Sequence, residues 1–312
     1  MERVLITGIA GQVGSYLAEM FLAEGHAVVG LASGADRPLP AAVERARGSL
    51  APAGIEELLD GNGPLTAIVH LASVTSMVQS WEQPHLTFDL NGRAGVELAF
   101  ALARRPTLRL VHASSAEIFG RAREAVQDES TPIDPVSPYG IAKAAAHMAV
   151  RLVRQTHGAP ASNLILYMTE SPRRRPTFVM RRITRSVAAI VCGDAEEIVL
   201  GNTEAVRDFV HARDVAAAAK LLAKGAPAGD YVCASGKGHS IHQLAEAVCR
   251  VAGLDPKGRI RSDAALYRPN DIPSLVGDPR ALRARGWEPR SSFEELLAEV
   301  FEHDLRAYRA GR

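Results

Sequence analysis

Residues 7–14, Thr7-Gly8-Ile9-Ala10-Gly11-Gln12-Val13-Gly14, decide the fold. They follow the apolar run "RVLI" (3–6), which has the length and composition of a buried strand. They lead into "QVGSYLAEMFLAEG" (12–25), where Val13, Leu17, Met20 and Phe21 recur at helical spacing and Gly25 is a stop signal. A turn with Gly8, Gly11 and Gly14 between a strand and a helix lets backbone approach a pyrophosphate. The helix N-terminus then supplies N–H groups and positive dipole. A glycine triple alone is weak, but here it stands in the strand–turn–helix context a dinucleotide site requires.

Working outward, "HAVVGL" (26–31), "LTAIVHLAS" (65–73) and "LRLVHASS" (108–115) read as further strands, and "NLILYM" (163–168) as another. "DLNGRAGVELAFALARR" (89–105) reads as helix, as does the chain from "SPYGIAK" (137–143) to about Gln155. Alternation of this kind predicts an α/β fold: a doubly wound parallel sheet with a smaller α/β C-terminal domain. The expected division is 1–165 and 166–312, with about 205–223 returning to the first part. In the second half "FVMRRITRSVAAIV" (178–191) is helical, with Val179, Ile183 and Val187 on one face and Arg181, Arg182 and Arg185 elsewhere. Ser240 with Gln243 and Ser292 with Glu295 form capping boxes. The stretch from Ala35 to Gly54 gives no clear pattern.

The 312 residues are 47% hydrophobic and 23% charged, enough for a substantial core. Net charge is +1, so no general attraction to nucleic acid or an anionic membrane follows. Cys192, Cys233 and Cys249 are odd in number and lack metal-ligand spacing, which fits free thiols in a reducing compartment and no metal. No apolar run is long enough to span a bilayer and no signal-peptide pattern opens the chain, so the cytoplasm is expected.

Within "SPYGIAK", Tyr139 and Lys143 stand four apart and so share a helix face. A free tyrosine has a pKa near ~10. A neighbouring ammonium and a positive nicotinamide favour the phenolate and bring it toward working pH. "HASSAEIFG" (112–120) can supply a hydroxyl from a neighbouring strand end. After the second strand, "GLASGADR" (30–37) has no acid directly following; Ser33 and Arg37 are available and Asp36 comes late. That pattern favours NADP, with NAD possible.

The glycine turn, the strand-end Ser and the Tyr-x-x-x-Lys pair together resemble the extended short-chain dehydrogenase/reductase superfamily over essentially the whole chain. "ESPRRRPTFVMRRITRSVA" (170–188), "LGNTEAVRDFVHARDV" (200–215) and "RPNDIPSLVGDPRALRARGWEP" (268–289) resemble the GDP-mannose 4,6-dehydratases. The last two equally resemble the related GDP-4-keto-6-deoxy-mannose reductases. The resemblance implies a catalytic set of Ser115, Glu117, Tyr139 and Lys143. Ser115 takes the place of the hydroxyl on the sugar O4, Glu117 that of the acid–base carboxylate. It implies cofactor contacts from Gly8, Gly11, Gln12, Val13, Gly14, Ser33, Arg37, Leu71 and Ala72, together with Tyr139 and Lys143. It implies a nucleotide sugar, GDP-linked, meeting Ser73, Thr75, Asn91, Arg207 and Arg268, with Arg207 and Arg268 on the diphosphate. Ser76 is a further candidate for the sugar. In this superfamily the helices matching "GVELAFALA" (95–103) and "YGIAKAAAHMAVRLV" (139–153) pair across a dimer, so a homodimer is expected.

The implied reaction oxidises C4, eliminates water across C5 and C6, and returns the hydride at C6. Alternatives are a 4-keto-sugar reductase or epimerase, and a cofactor-binding protein without chemistry. Three departures from the dehydratase pattern stand out. Met168, followed by Thr169, occupies the place of an Asn, Ser49 that of an Asp, and the loop after the second strand is shortened. Ala116 stands where dTDP-glucose dehydratases carry an acid, which argues against that subfamily.

Overall fold

The computed structural model describes residues 1–32, 38–267 and 270–311. The chain opens with β1 (Arg3–Thr7), α1 (Gln12–Ala23), β2 (Ala27–Leu31), β3 (Glu44–Arg45), α2 (Ile55–Asp60) and β4 (Ala67–His70). Helices α3 (Met77–Glu82) and α4 (Pro84–Phe88) run into a π-helical turn (Asp89–Arg93) and α5 (Ala94–Ala101). Next come β5 (Arg109–Ser115), α6 (Pro138–His157), β6 (Ala161–Leu166), β7 (Met168–Glu170) and α7 (Val179–Val191). They are followed by β8 (Ile198–Leu200), β9 (Val206–His211), α8 (Ala212–Ala223), β10 (Asp230–Cys233) and β11 (Gly238–Ser240). The last elements are α9 (Ile241–Val251), β12 (Ile260–Ser262), β13 (Ser274–Leu275), α10 (Arg280–Arg283) and α11 (Phe293–Ala310).

Seven parallel strands form the main sheet in the order β10-β6-β5-β4-β1-β2-β3. Leu17 and Phe21 of α1 and Val215 and Leu222 of α8 cover one face. Leu58 of α2, Leu98 of α5 and Val150 of α6 cover the other. The chain moves outward from β1 to β3, then restarts at β4 on the other side of β1. The crevice beyond the C-terminal ends of β1 and β4 is therefore the switch point where such sheets bind ligands.

A smaller unit gathers around β9, which pairs with β7, β11 and β13, and a two-stranded pair of β8 and β12 lies beside it. Its core is α7, α9 and α11, with Ile183, Val187, Leu244 and Val300 fully buried. Both capping boxes form, at Ser240 and Ser292. The 205–223 stretch is split: β9 centres the small sheet, while α8 packs on the large one. "NLILYM" is split as well, because Tyr167 leaves the large sheet and Met168 begins the pairing with β9. The helix expected over 89–105 is interrupted at its start by the π turn. Cys233 and Cys249 are buried free thiols, and Cys192 is partly buried. No helix among the described residues is long and apolar enough to cross a membrane.

Arg181 differs from the sequence expectation. It is buried on α7, where its guanidinium grips Asp304 of α11 in a two-point contact of 2.8 and 2.6 Å. Two more of its donors, both on one terminal nitrogen, meet the carbonyls of Pro172 and Arg174 at 2.6 Å. Thr184 donates to the same Asp304 carboxylate. Four satisfied donors explain how the interior tolerates the charge. Removing one partner strands the other, so Asp304→Ala is expected to cost about 3–5 kcal/mol. Urea unfolding measures it, and a loss under about 1 kcal/mol would show the pair to be dispensable.

Candidate active site

The glycine turn places backbone where side chains cannot go. Gly8 has φ +70°, and a Cβ there would lie 2.8 Å from the Ala72 nitrogen. A Cβ on Gly14 would lie 2.5 Å from the Gly8 carbonyl. These contacts pull α1 down onto the switch point. Among the described residues no side chain caps the start of α1, and its first turn carries no acid, so its N–H groups are open to the crevice. Gln12 locks the turn to β7, donating to the Thr169 carbonyl at 2.8 Å and accepting from Ser171 at 2.9 Å.

A cleft of about 2220 Å³ runs from this turn to the small unit. Gly8, Gly11, Gln12, Val13 and Gly14 line one end, with Leu71 and Ala72 beside them. Ser115, Glu117, Tyr139 and Lys143 line the cleft as well, as do Ser73, Thr75 and Ser76, with Ser115 and Ser73 both in hydrogen-bond reach of the Tyr139 phenol. Arg207 lies toward the far end, donating to Asp271 at 3.0 Å. Ser49, Met168 and Thr169, which mark the departures, are also in the wall. Ser33, Arg37 and Arg268 lie outside the described residues.

Asn91 is the exception among the expected sugar contacts. It is fully buried in the π turn and does not line the cleft. Its oxygen accepts from the Val74 nitrogen at 2.8 Å and the Ser73 hydroxyl at 3.0 Å, and its nitrogen donates to the Val74 carbonyl at 2.8 Å. It thus shapes the 73–75 loop from behind.

Helix α6 positions the Tyr and Lys. Ser137 caps it by accepting from the Gly140 nitrogen at 3.0 Å, Pro138 sits in its first turn, and Gly158 at φ +61° ends it. Gly140, Lys143 and His147 fall on the buried face, over β5 and β6. Ser115 ends β5 and accepts from the Glu117 nitrogen at 3.3 Å, which turns Glu117 toward the same cleft.

The electrostatics differ from the sequence expectation. Burial raises the Tyr139 phenol above its usual value; Ser115, Arg174 and Ser73 pull it down, and Glu117 pushes it up. Lys143 lies 6.0 Å from the ring centroid and donates to the Ala113 carbonyl at 2.8 Å. The nearby cation that favours the phenolate here is Arg174, which also lines the cleft. Neither Arg174 nor its neighbour Glu170 receives an individual role from the sequence. The available signal is three arginines directly after a strand end in "ESPRRR". A nicotinamide dinucleotide fits these residues: a glycine cradle without Cβ atoms at one end, a Tyr and Lys at the other.

Burial holds the Lys143 ammonium at about 8, against 10.5 for an exposed lysine. Below pH 8 the folded and unfolded chains both carry this proton, and the folded one bears the whole desolvation of the charge. Between about pH 8 and 10.5 the unfolded chain holds more protons, so the penalty shrinks as pH rises. Lys143→Met should therefore raise stability at pH 7 by about 2 kcal/mol, after allowing for the lost hydrogen bond. The gain should fade toward pH 10 in denaturant titrations. A less stable variant at pH 7 would contradict the burial argument.

The profile of the family described as "GDP-mannose 4,6 dehydratase" matches residues 5–300. A GDP-mannose 4,6 dehydratase of Dictyostelium discoideum is 32% identical over 98% of this chain and 97% of its own. A GDP-mannose 4,6-dehydratase of Sordaria araneosa, sdnI, is 32% identical over 100% of this chain, which spans 62% of that relative's length. Among solved structures, UDP-glucose 4-epimerase of Thermus thermophilus in complex with NAD is 30% identical, with a TM-score of 0.84 over 97% of this chain and 98% of that one. With the dinucleotide turn, the Tyr–Lys helix and the arginine-lined end in one cleft, and a family match covering nearly every residue, this chain belongs to the GDP-mannose 4,6-dehydratase family.

Proposed function

We propose that this protein is an NADP-dependent GDP-mannose 4,6-dehydratase. The observation that carries the reading is the placement of Glu117 beside Ser115, Tyr139 and Lys143 on one wall of the cleft. A carbonyl-forming site needs only the Ser, Tyr and Lys; elimination also needs a carboxylate that can take one proton and deliver another. When bound, the nicotinamide takes a hydride from C4 of the sugar and returns it at C6. Ser115 orients the O4 hydroxyl and Tyr139 removes its proton. Arg174 supplies the positive field that a phenolate needs once the phenol is buried, and Lys143 is held a helical turn away by the Ala113 carbonyl. With C4 a ketone, the C5 proton is acidic: Glu117 takes it, and the C6 hydroxyl leaves as water with a proton from Glu117. The arginines at the far end of the cleft suit a diphosphate, because a planar fork binds its oxygens in pairs. The end of β2 carries no acid for a ribose hydroxyl, which supports NADP over NAD.

The rival is a 4-epimerase or 4-keto reductase, favoured by the likeness to the Thermus epimerase. One variant tests the step all the readings share, and a second separates them. Tyr139→Phe should abolish every step, because nothing precedes oxidation at C4. Glu117→Gln should still oxidise C4, accumulating the near-ultraviolet absorbance of reduced nicotinamide, with dehydration slowed ~10²–10⁴-fold. Glu117→Gln that dehydrates GDP-mannose at the wild-type rate would remove the main support for a dehydratase. Reduction of a 4-keto sugar by an enzyme inert toward 4-hydroxy sugars would establish the reductase.

The working unit is a homodimer built on α5 and α6. Ile141, Met148 and Leu152 lie on the face of α6 opposite Lys143, with Ile141 52% and Met148 57% exposed, and Phe100 of α5 and Phe88 stand exposed nearby. An apolar stripe of this kind on a helix pair fits a self-complementary interface. Ile141→Asp with Met148→Asp should convert a dimer to a monomer in light scattering without unfolding it. A wild-type monomer at micromolar concentration would rule the dimer out.

A further inference from the structure

Glu170 ends β7, directly behind the cleft wall. Its side chain is fully buried, and neither carboxylate oxygen has a hydrogen-bond partner among the described residues. The nearest cation is Arg174, whose Nε lies 3.9 Å from the Glu170 Oε1. That Nε is also buried, with no hydrogen-bond partner among the described residues. The Arg174 guanidinium lies over the Phe178 ring, 3.5 Å from its centroid. The same guanidinium borders the cleft. Arg174 and Arg181 are the charges that reach Glu170, and Arg181 is already committed to Asp304 and two carbonyls. Across the sheet His211 pairs in register with Glu170, but its ring is engaged by Glu299 and the Arg213 nitrogen. On the α1 side Gln12 is spent on Thr169 and Ser171.

We propose that Glu170 is a positioning residue that parks Arg174 beside Tyr139 and releases it to an incoming phosphate by taking up one proton. This rests on the cleft being a nucleotide site, as argued above. A buried carboxylate with no hydrogen bond is tolerated only while a cation stands next to it. Arg174 provides that support in the unliganded protein. Burial already holds Glu170 up at about 7, with Arg174 and then Arg181 pulling it down. Once a phosphate neutralises Arg174, the support is withdrawn and Glu170 rises further. Its proton comes from solvent, and the Arg174 charge passes from one partner to the other. Between the two values the liganded protein holds more protons than the free one, so affinity falls as pH rises through that window. The phosphate belongs either to the dinucleotide or to the nucleotide sugar, which share this chemistry.

The test is calorimetric titration at about pH 8 in buffers of differing ionisation heat, with NADP⁺ alone and with GDP alone. Lys143 titrates near the same pH, so the readout is the proton uptake of wild type minus that of Glu170→Gln. A difference of about half a proton or more is expected with one of the two ligands, and that ligand is the source of the phosphate. Glu170→Gln should bind it at least as tightly as wild type at pH 8, with a flatter pH dependence. Arg174→Met is the second variant. It should bind more weakly and also lose the uptake, because Glu170 without Arg174 is protonated beforehand. Binding of both ligands with equal uptake in wild type and Glu170→Gln would overturn the proposal while leaving the nucleotide site intact. Binding of neither ligand would overturn the nucleotide site and the proposal with it.

Discussion

The contact between Gly140 and the carbonyl of Glu117 governs the site. A Cβ at Gly140 would stand 2.7 Å from that oxygen, so any other residue would push α6 off the end of β5. Because the helix can lie this close, Tyr139 one residue earlier faces Ser115, and Lys143 one turn later reaches the Ala113 carbonyl. The Ser137 cap and Pro138 then fix where the helix begins, and with it the register of every catalytic candidate along it. The glycine turn after β1 repeats the device at the other end of the cleft, where missing side chains let backbone close on backbone.

Close packing has an electrostatic consequence. Tyr139, Lys143 and Glu170 are all moved toward their neutral forms by burial, the phenol and carboxyl up and the ammonium down. Without ligand the site therefore holds its charges weakly. A bound nicotinamide and a diphosphate bring charges of both signs into the same low-dielectric space. There they act on the phenol and the carboxyls far more strongly than they would in water. The arginines of the 171–178 loop and of α7 connect these effects to the fold. Arg173 crosses to Ser15 on α1, Arg174 faces Tyr139, and Arg181 ties the loop carbonyls to α11. The C-terminal helix thus helps set the geometry of a site more than a hundred residues earlier in sequence.

Much of the large sheet is legible in the sequence because its strands are continuous apolar runs bounded by glycine turns, and its helices carry caps and a regular apolar face. The small sheet is not, because its strands are two to six residues long and pair across large sequence gaps. β10 joins β6 across a stretch that contains the whole of α7, β9 and α8, which no local pattern announces. At the site, the Tyr–Lys spacing can be read directly, since helical periodicity puts both side chains on one face, whereas only the family resemblance singles out Ser115 at the strand end. The raised phenol cannot, because desolvation depends on what the rest of the chain stacks around it. Helical spacing sets Arg181 off the apolar face of α7, yet it is buried, because its partner Asp304 waits far along the chain on α11. The family resemblance makes Asn91 the residue that kinks its helix, and Asn91 does lie in the π turn, with its amide spent on the Val74 backbone.

The account stands or falls on an internal transfer within one sugar. GDP-mannose carrying deuterium at C4, incubated with the protein and a catalytic amount of NADP⁺, should yield a 4-keto-6-deoxy product that has lost one water. Mass spectrometry of the product should find the deuterium at C6, with no net change in the cofactor. Deuterium that remains at C4, or a product formed only as NADPH is consumed in equal amount, would contradict it.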